Sequence, residues 1–90
     1  MSAAAFEFNL LLPHEPRYLA MLRDVVVSAA RQAGCTDPAA AAFGESVADA
    51  ALAATPGADD TLAVVVRQAD GLMEVQLGNG PGARALSVRA

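Results

Sequence analysis

The dipeptide Asp70-Gly71 constrains this chain more than any other feature of it. It separates two apolar runs, Leu62 to Gln68 and Leu72 to Leu77, and a two-residue Asp-Gly connection between such runs is a strong hairpin signal. The register follows from the turn length. Arg67 falls opposite Glu74, Val66 opposite Val75 and Val64 opposite Leu77, so an ion pair forms on one face and apolar pairs on the other.

The remaining elements follow from periodicity. Phe6 to Leu12 sets Phe6, Phe8, Leu10 and Leu12 against Glu7, Asn9 and Leu11, the period of two of a half-buried strand, which Pro13 and Pro16 end. Pro16 suits a first helical turn, and Leu19, Leu22, Val26, Ala29 and Ala33 recur at spacings of three and four up to a C-capping Gly34. Asp37 reads as the N-cap of a second helix with Pro38 at its first position, running to about Ala54 before Thr55, Pro56 and Gly57. That helix has a packing face of Phe43, Val47, Ala50 and Ala54 and a free face of Glu45, Asp49 and Leu52. Its many alanines reflect helix propensity. Ala58 to Asp60 make a short acidic connection, and after Gly78-Asn79-Gly80-Pro81-Gly82 a last strand alternates Arg84, Leu86 and Val88 with Ala85, Ser87 and Arg89. The order β-α-α-β-β-β predicts a two-layer α+β sandwich. It would have a largely antiparallel sheet of about four strands, with two helices on one face.

Ninety residues make one domain, and a domain of this size buries only about 60 to 65% of its unfolded surface. Apolar residues reach 54% but aromatics only 4%, so Ala, Val and Leu must build the core. Neither a spanning helix nor a leader is expected, since no apolar run nears the roughly 18 residues required. The lone Cys35 has no ligand neighbours spaced for zinc and fits a reducing, cytoplasmic compartment. With a net charge of −4, no Lys and six scattered Arg, the chain lacks the basic patch of a nucleic-acid binder.

Two features can carry chemistry. Glu45 and Asp49 lie one helical turn apart, where like charges repel by a few tenths of a kcal/mol, a cost tolerated for a metal or proton-transfer task or merely on a solvated face. The glycine-rich segment Gly78 to Gly82 can bring backbone N–H groups to a phosphate or can simply be a hairpin loop, since it has no P-loop lysine. His14, between two prolines, reads as an exposed turn residue, and Met21 and Met73 as core filler.

In this order the elements resemble the GHKL superfamily, the histidine-kinase-like ATPase fold, and in particular its anti-sigma-factor serine kinases. The likeness runs from about Phe6 to Gly82 and rests on an acidic helix of the form Glu-x-x-x-Asn, a hairpin, and Asp-x-Gly-x-Gly. The resemblance makes Glu45 the general base and gives the Mg²⁺-holding position to Asp49, which replaces the family's Asn. Ala53 stands where the family often has His, and Gly78 replaces the Asp that reads the adenine amine. Asn79, Gly80 and Gly82 keep the rest of the nucleotide-binding box. The lid and second glycine box have no room, so residues 1–90 read as a truncated family domain with degenerate nucleotide motifs.

The expected function is a regulatory protein-binding module of anti-sigma type that has lost ATP-dependent kinase activity. It would need no cofactor, and its partner would be a sigma factor or an antagonist domain. The alternative is a minimal Mg-nucleotide-binding protein or serine kinase using Glu45 and Asp49, with ATP and Mg²⁺ as cofactors. A third reading is a subunit that completes another chain's fold. Leu10, Leu11 and Leu12 put apolar side chains on both faces of the first strand, a pairing surface for a homodimer.

Overall fold

A computed structural model of the chain describes residues 5–78 and 82–90. Asp70 and Gly71 take φ angles of 55° and 77°, the pair of left-handed conformations that a type I′ turn requires. Across the turn Arg67 faces Glu74, Val66 faces Val75 and Val64 faces Leu77, the register expected from the turn length.

The elements are β1 (Phe6–Pro13), α1 (Pro16–Gln32), α2 (Asp37–Ala53), a single 3-10 turn (Ala58–Asp60), β2 (Thr61–Ala69), β3 (Leu72–Leu77) and β4 (Arg84–Arg89). The four strands lie in the order β1-β2-β3-β4, each antiparallel to its neighbour. Both helices cover one face, α1 over β1 and α2 over β3 and β4, which completes a two-layer α+β sandwich. Leu62, Val64, Val66, Met73, Val75 and Leu77 alternate inward and meet Leu19, Leu22, Val26, Phe43 and Val47 of the helices. The outward row across the sheet carries an ionic ladder: Arg67 donates from Nε to Glu7 at 2.8 Å and from Nη1 to Glu74 at 3.1 Å. The hydrogen bond and charge of Glu7, and behind them those of Glu74, hold the Arg67 guanidinium above its ordinary pKa.

Three local corrections to the sequence reading have simple causes. The N-cap of α2 is Thr36 rather than Asp37: the Thr36 hydroxyl accepts from the Ala39 N–H at 3.3 Å and Asp37 opens the first turn, where its charge suits the helix dipole. His14 is half-buried rather than exposed. Its Nε2–H donates at 2.9 Å to the Ala51 carbonyl in the last turn of α2, which also accepts from the Ala54 N–H at 3.2 Å, while its backbone N–H donates to the Asp60 carbonyl. Met73 is fully buried, but Met21 is 57% exposed and fills no core. The end of α1 forms as expected. Gly34 at φ 106° lets Cys35 N–H reach the Ala30 carbonyl and Gly34 N–H the Arg31 carbonyl, a Schellman closure with Cys35 buried behind it.

The His14 contact joins the β1–α1 turn to the end of α2 across 37 residues. His14→Ala should therefore lower unfolding stability by about 1 kcal/mol, the worth of one part-buried hydrogen bond. A urea midpoint that does not fall would show that the ring leaves this carbonyl in solution.

Candidate functional site

Glu45 and Asp49 occupy the exposed face of α2, as their spacing requires, while Phe43, Val47 and Ala50 turn to the core. The close approach of the two helices decides what Glu45 meets. Gly44, buried beside Val27 and the Arg23 backbone of α1, has no side chain to hold the helices apart. Arg23 therefore reaches across, and its Nη1 donates to Glu45 Oε1 at 3.3 Å while its Nε lies 3.5 Å from Asp24. The carboxylate proposed as a general base thus accepts a charged hydrogen bond from a neighbouring helix. The groove it borders, about 220 Å³ and lined with Pro16, Leu19, Ala20 and Leu52, lies over the outer seam of the helix pair.

Asp49 borders this groove and also a depression on the other flank of α2, about 400 Å³, shared with Ser46, Ala53, Arg84 and Leu86. A guanidinium on β4 thus lies across from the position the resemblance gives to Mg²⁺. Among the described residues no three His, Cys, Asp or Glu side chains group as metal ligands do, and Asp49 has only Glu45 as an acidic neighbour within a helical turn.

The glycine segment leads elsewhere. Gly78 takes φ 85° and its N–H donates to the Ala63 carbonyl at 2.8 Å, so its backbone donor serves the sheet. Gly78 and Gly82 border a cavity of about 350 Å³ with Ala54, Thr55, Pro56, Gly57 and Thr61, beyond the C-terminal end of α2. Asn79 and Gly80 lie outside the described residues. The depressions that Glu45 and Asp49 border do not include Gly78 or Gly82. The two features that form one nucleotide site in the resembled family border separate depressions here.

A different surface stands out. Leu11 is 68% exposed and Val25 38%, and with Met21 they are three of the four large apolar side chains that are exposed among the described residues. Phe6 and Phe8, stacked at 5.9 Å between ring centroids, form with Val25, Ser28, Ala29 and Gln32 a groove of about 490 Å³ between α1 and the free edge of β1. The strand's alternation showed only Leu11 as outward-facing. The groove was readable only as a second, uncharged stripe on α1, Tyr18, Met21, Val25 and Gln32 at spacings of three, four and seven. Compared with known proteins, the chain matches no family model and no curated protein.

Proposed function

We propose that this chain is a regulatory protein-binding module, akin in layout to the anti-sigma factors of the GHKL superfamily, that acts without ATP chemistry. The observation that carries this reading is the separation of the acidic pair from the glycines, with Glu45 held by Arg23. Phosphoryl transfer needs a base, a metal and backbone donors converging on one phosphate in a site closed to water. Here the base candidate faces the helix seam and the metal candidate faces an arginine across a groove. The glycines border a third depression. Gly78 also lacks the carboxylate that would pair with an adenine amine, and one such lost partner costs about 1 to 3 kcal/mol, roughly 5- to 150-fold in affinity.

On this reading the partner is a sigma factor or an antagonist domain in the cytoplasm, and binding is indifferent to nucleotide. The test combines calorimetric titration with Mg-ATP to millimolar concentration, a labelled-phosphate transfer assay on antagonist domains, and pull-down of sigma factors with and without Mg-ATP. The expected result is no saturable heat, no transfer, and sigma-factor capture unaffected by nucleotide. Micromolar Mg-ATP binding lost in Asp49→Ala, or transfer lost in Glu45→Ala, would establish the Mg-nucleotide alternative instead. Failure to capture either protein class would remove the anti-sigma assignment.

A further inference from the structure

We infer that the depression between α2 and β4 is a binding site for a small apolar zwitterion, a free amino acid such as leucine, with Asp49 receiving its ammonium and Arg84 its carboxylate. The site begins with a break in the sheet's pattern. Val64 and Leu77, paired across β2 and β3, are both buried on the helix-facing side, and the next position in that row, opposite Leu77 on β4, is Arg84. An apolar side chain there would extend the core. An inward-pointing charge on an edge strand also blunts the edge, but that role requires nothing of the helix above it.

The helix is nonetheless matched to it. Ser46, Asp49, Ala50 and Ala53, at spacings of three, four and seven, share one face of α2 and border a depression of about 400 Å³ with Arg84 and Leu86. Small-molecule sites run from about 300 to 1,000 Å³. Serine and alanine are short, so this face of α2 leaves the space open where larger side chains would fill it.

The two charges of the depression are uncommitted. Arg17, Arg23, Arg31 and Arg67 each have an acidic partner at 2.8 to 3.9 Å, whereas neither Arg84 nor Asp49 enters an ion pair among the described residues. Opposite charges on one small space select against ligands of a single sign. A divalent cation is drawn to Asp49 and repelled by Arg84, and a phosphate is drawn to Arg84 and repelled by Asp49. A zwitterion satisfies both.

Size narrows the class further. A depression of that volume is about 7 Å across, close to one amino-acid headgroup with a charge-assisted hydrogen bond of about 2.8 Å at each end. The Ser46 hydroxyl can accept from the ammonium or donate to the carboxylate. Buried Ala50 and half-buried Leu86 give an apolar side chain its floor. Asp49 and Arg84 are exposed, so solvent screens both contacts and a dissociation constant of about 1 mM is expected.

The experiment is a ¹H–¹⁵N NMR titration of the intact chain with L-leucine to about 50 mM at constant ionic strength, well above this constant. Parallel titrations use L-leucinamide, which lacks the carboxylate, and N-acetyl-L-leucine, which lacks the ammonium. Leucine should give saturable shifts centred on Ser46 to Ala53 and Arg84 to Leu86, and each analogue should bind at least about tenfold more weakly. Arg84→Gln should weaken leucine by at least about tenfold without weakening leucinamide, and Asp49→Asn should do the same without weakening N-acetyl-leucine. A misfolded variant cannot produce that crossed pattern. Absence of saturable shifts would overturn the inference, as would shifts centred elsewhere, leucine binding indifferent to either substitution, or an analogue that binds as tightly as leucine. None of these outcomes depends on whether the chain binds a sigma factor.

Discussion

Gly44→Leu should remove about 3 kcal/mol or more of this protein's stability, and Gly44→Ala should weaken it where alanine in a helix ordinarily helps. In a helix interior, replacing glycine with alanine gains up to about 1 kcal/mol of backbone propensity. Gly44 is buried, however, and a Cβ there would overlap the Val27 side chain and come within 3.2 Å of the Arg23 carbonyl oxygen. The carbonyl belongs to α1 and cannot move without the helix moving. Val27, β-branched on a helix, has essentially one rotamer and little room to turn away. Overpacking of this kind costs about 1 to 3 kcal/mol for a small group. The propensity gain offsets only part of that, leaving Gly44→Ala about 1 kcal/mol less stable.

Leucine adds three further carbons to the same contact and must push α2 off α1, so the expected cost is about 3 kcal/mol or more. A 90-residue domain has only about 5 to 13 kcal/mol in all. Separation of the helices should also break the Arg23–Glu45 pair that spans this approach. Urea titration followed by circular dichroism reads the result: a fall of at least about 1 M in the Gly44→Leu midpoint is expected for a slope near 1 to 3 kcal/mol per molar. If Gly44→Ala instead raises the midpoint, the helices stand farther apart than described and glycine is not required there.

The parts of this fold legible in the sequence were those governed by neighbours in the chain. The register of β2 and β3 follows from a two-residue turn, and the end of α1 from a glycine that tolerates φ 106°. The faces of α2 follow from 100° per residue. The cap of α2 moved by one residue because Thr36 and Asp37 are both competent caps and the chain's entry angle chose between them.

Contacts distant along the chain were not legible. His14 meets Ala51 across 37 residues and Arg23 meets Glu45 across 22, and no local pattern records either. Met21 carries a related lesson: helix periodicity marks apolar stripes but does not say which of two stripes meets the sheet. The same holds for the candidate site. Spacing put Glu45 and Asp49 on one face correctly, but whether that face meets the glycine segment depends on how α2 lies over β3 and β4.

Gln68→Met should stabilise the protein by about 1 to 2 kcal/mol. The alternation of Leu62, Val64 and Val66 carries Gln68 onto the helix-facing side of β2, where it is 2% exposed, directly across from Phe6 and Met73. Neither its Oε1 nor its Nε2 has a hydrogen-bond partner among the described residues. An amide taken from water into such surroundings without a partner costs about 1 to 3 kcal/mol. Methionine has the same unbranched length and a flexible thioether, so it can fill the space with little of the strain a branched side chain would bring. It removes the desolvation cost and adds apolar contact with Phe6 and Met73, and both changes act in the same direction. For a domain of this size each kcal/mol is worth about 4 to 8 °C of Tm, well above the error of calorimetry. The urea midpoint should rise with an unchanged slope, the sign of a stabilised native state rather than an altered unfolded one. A lower midpoint for Gln68→Met would mean that the amide is hydrogen-bonded in solution, and that the end of the sheet beside Phe6 opens far enough to let a partner reach it.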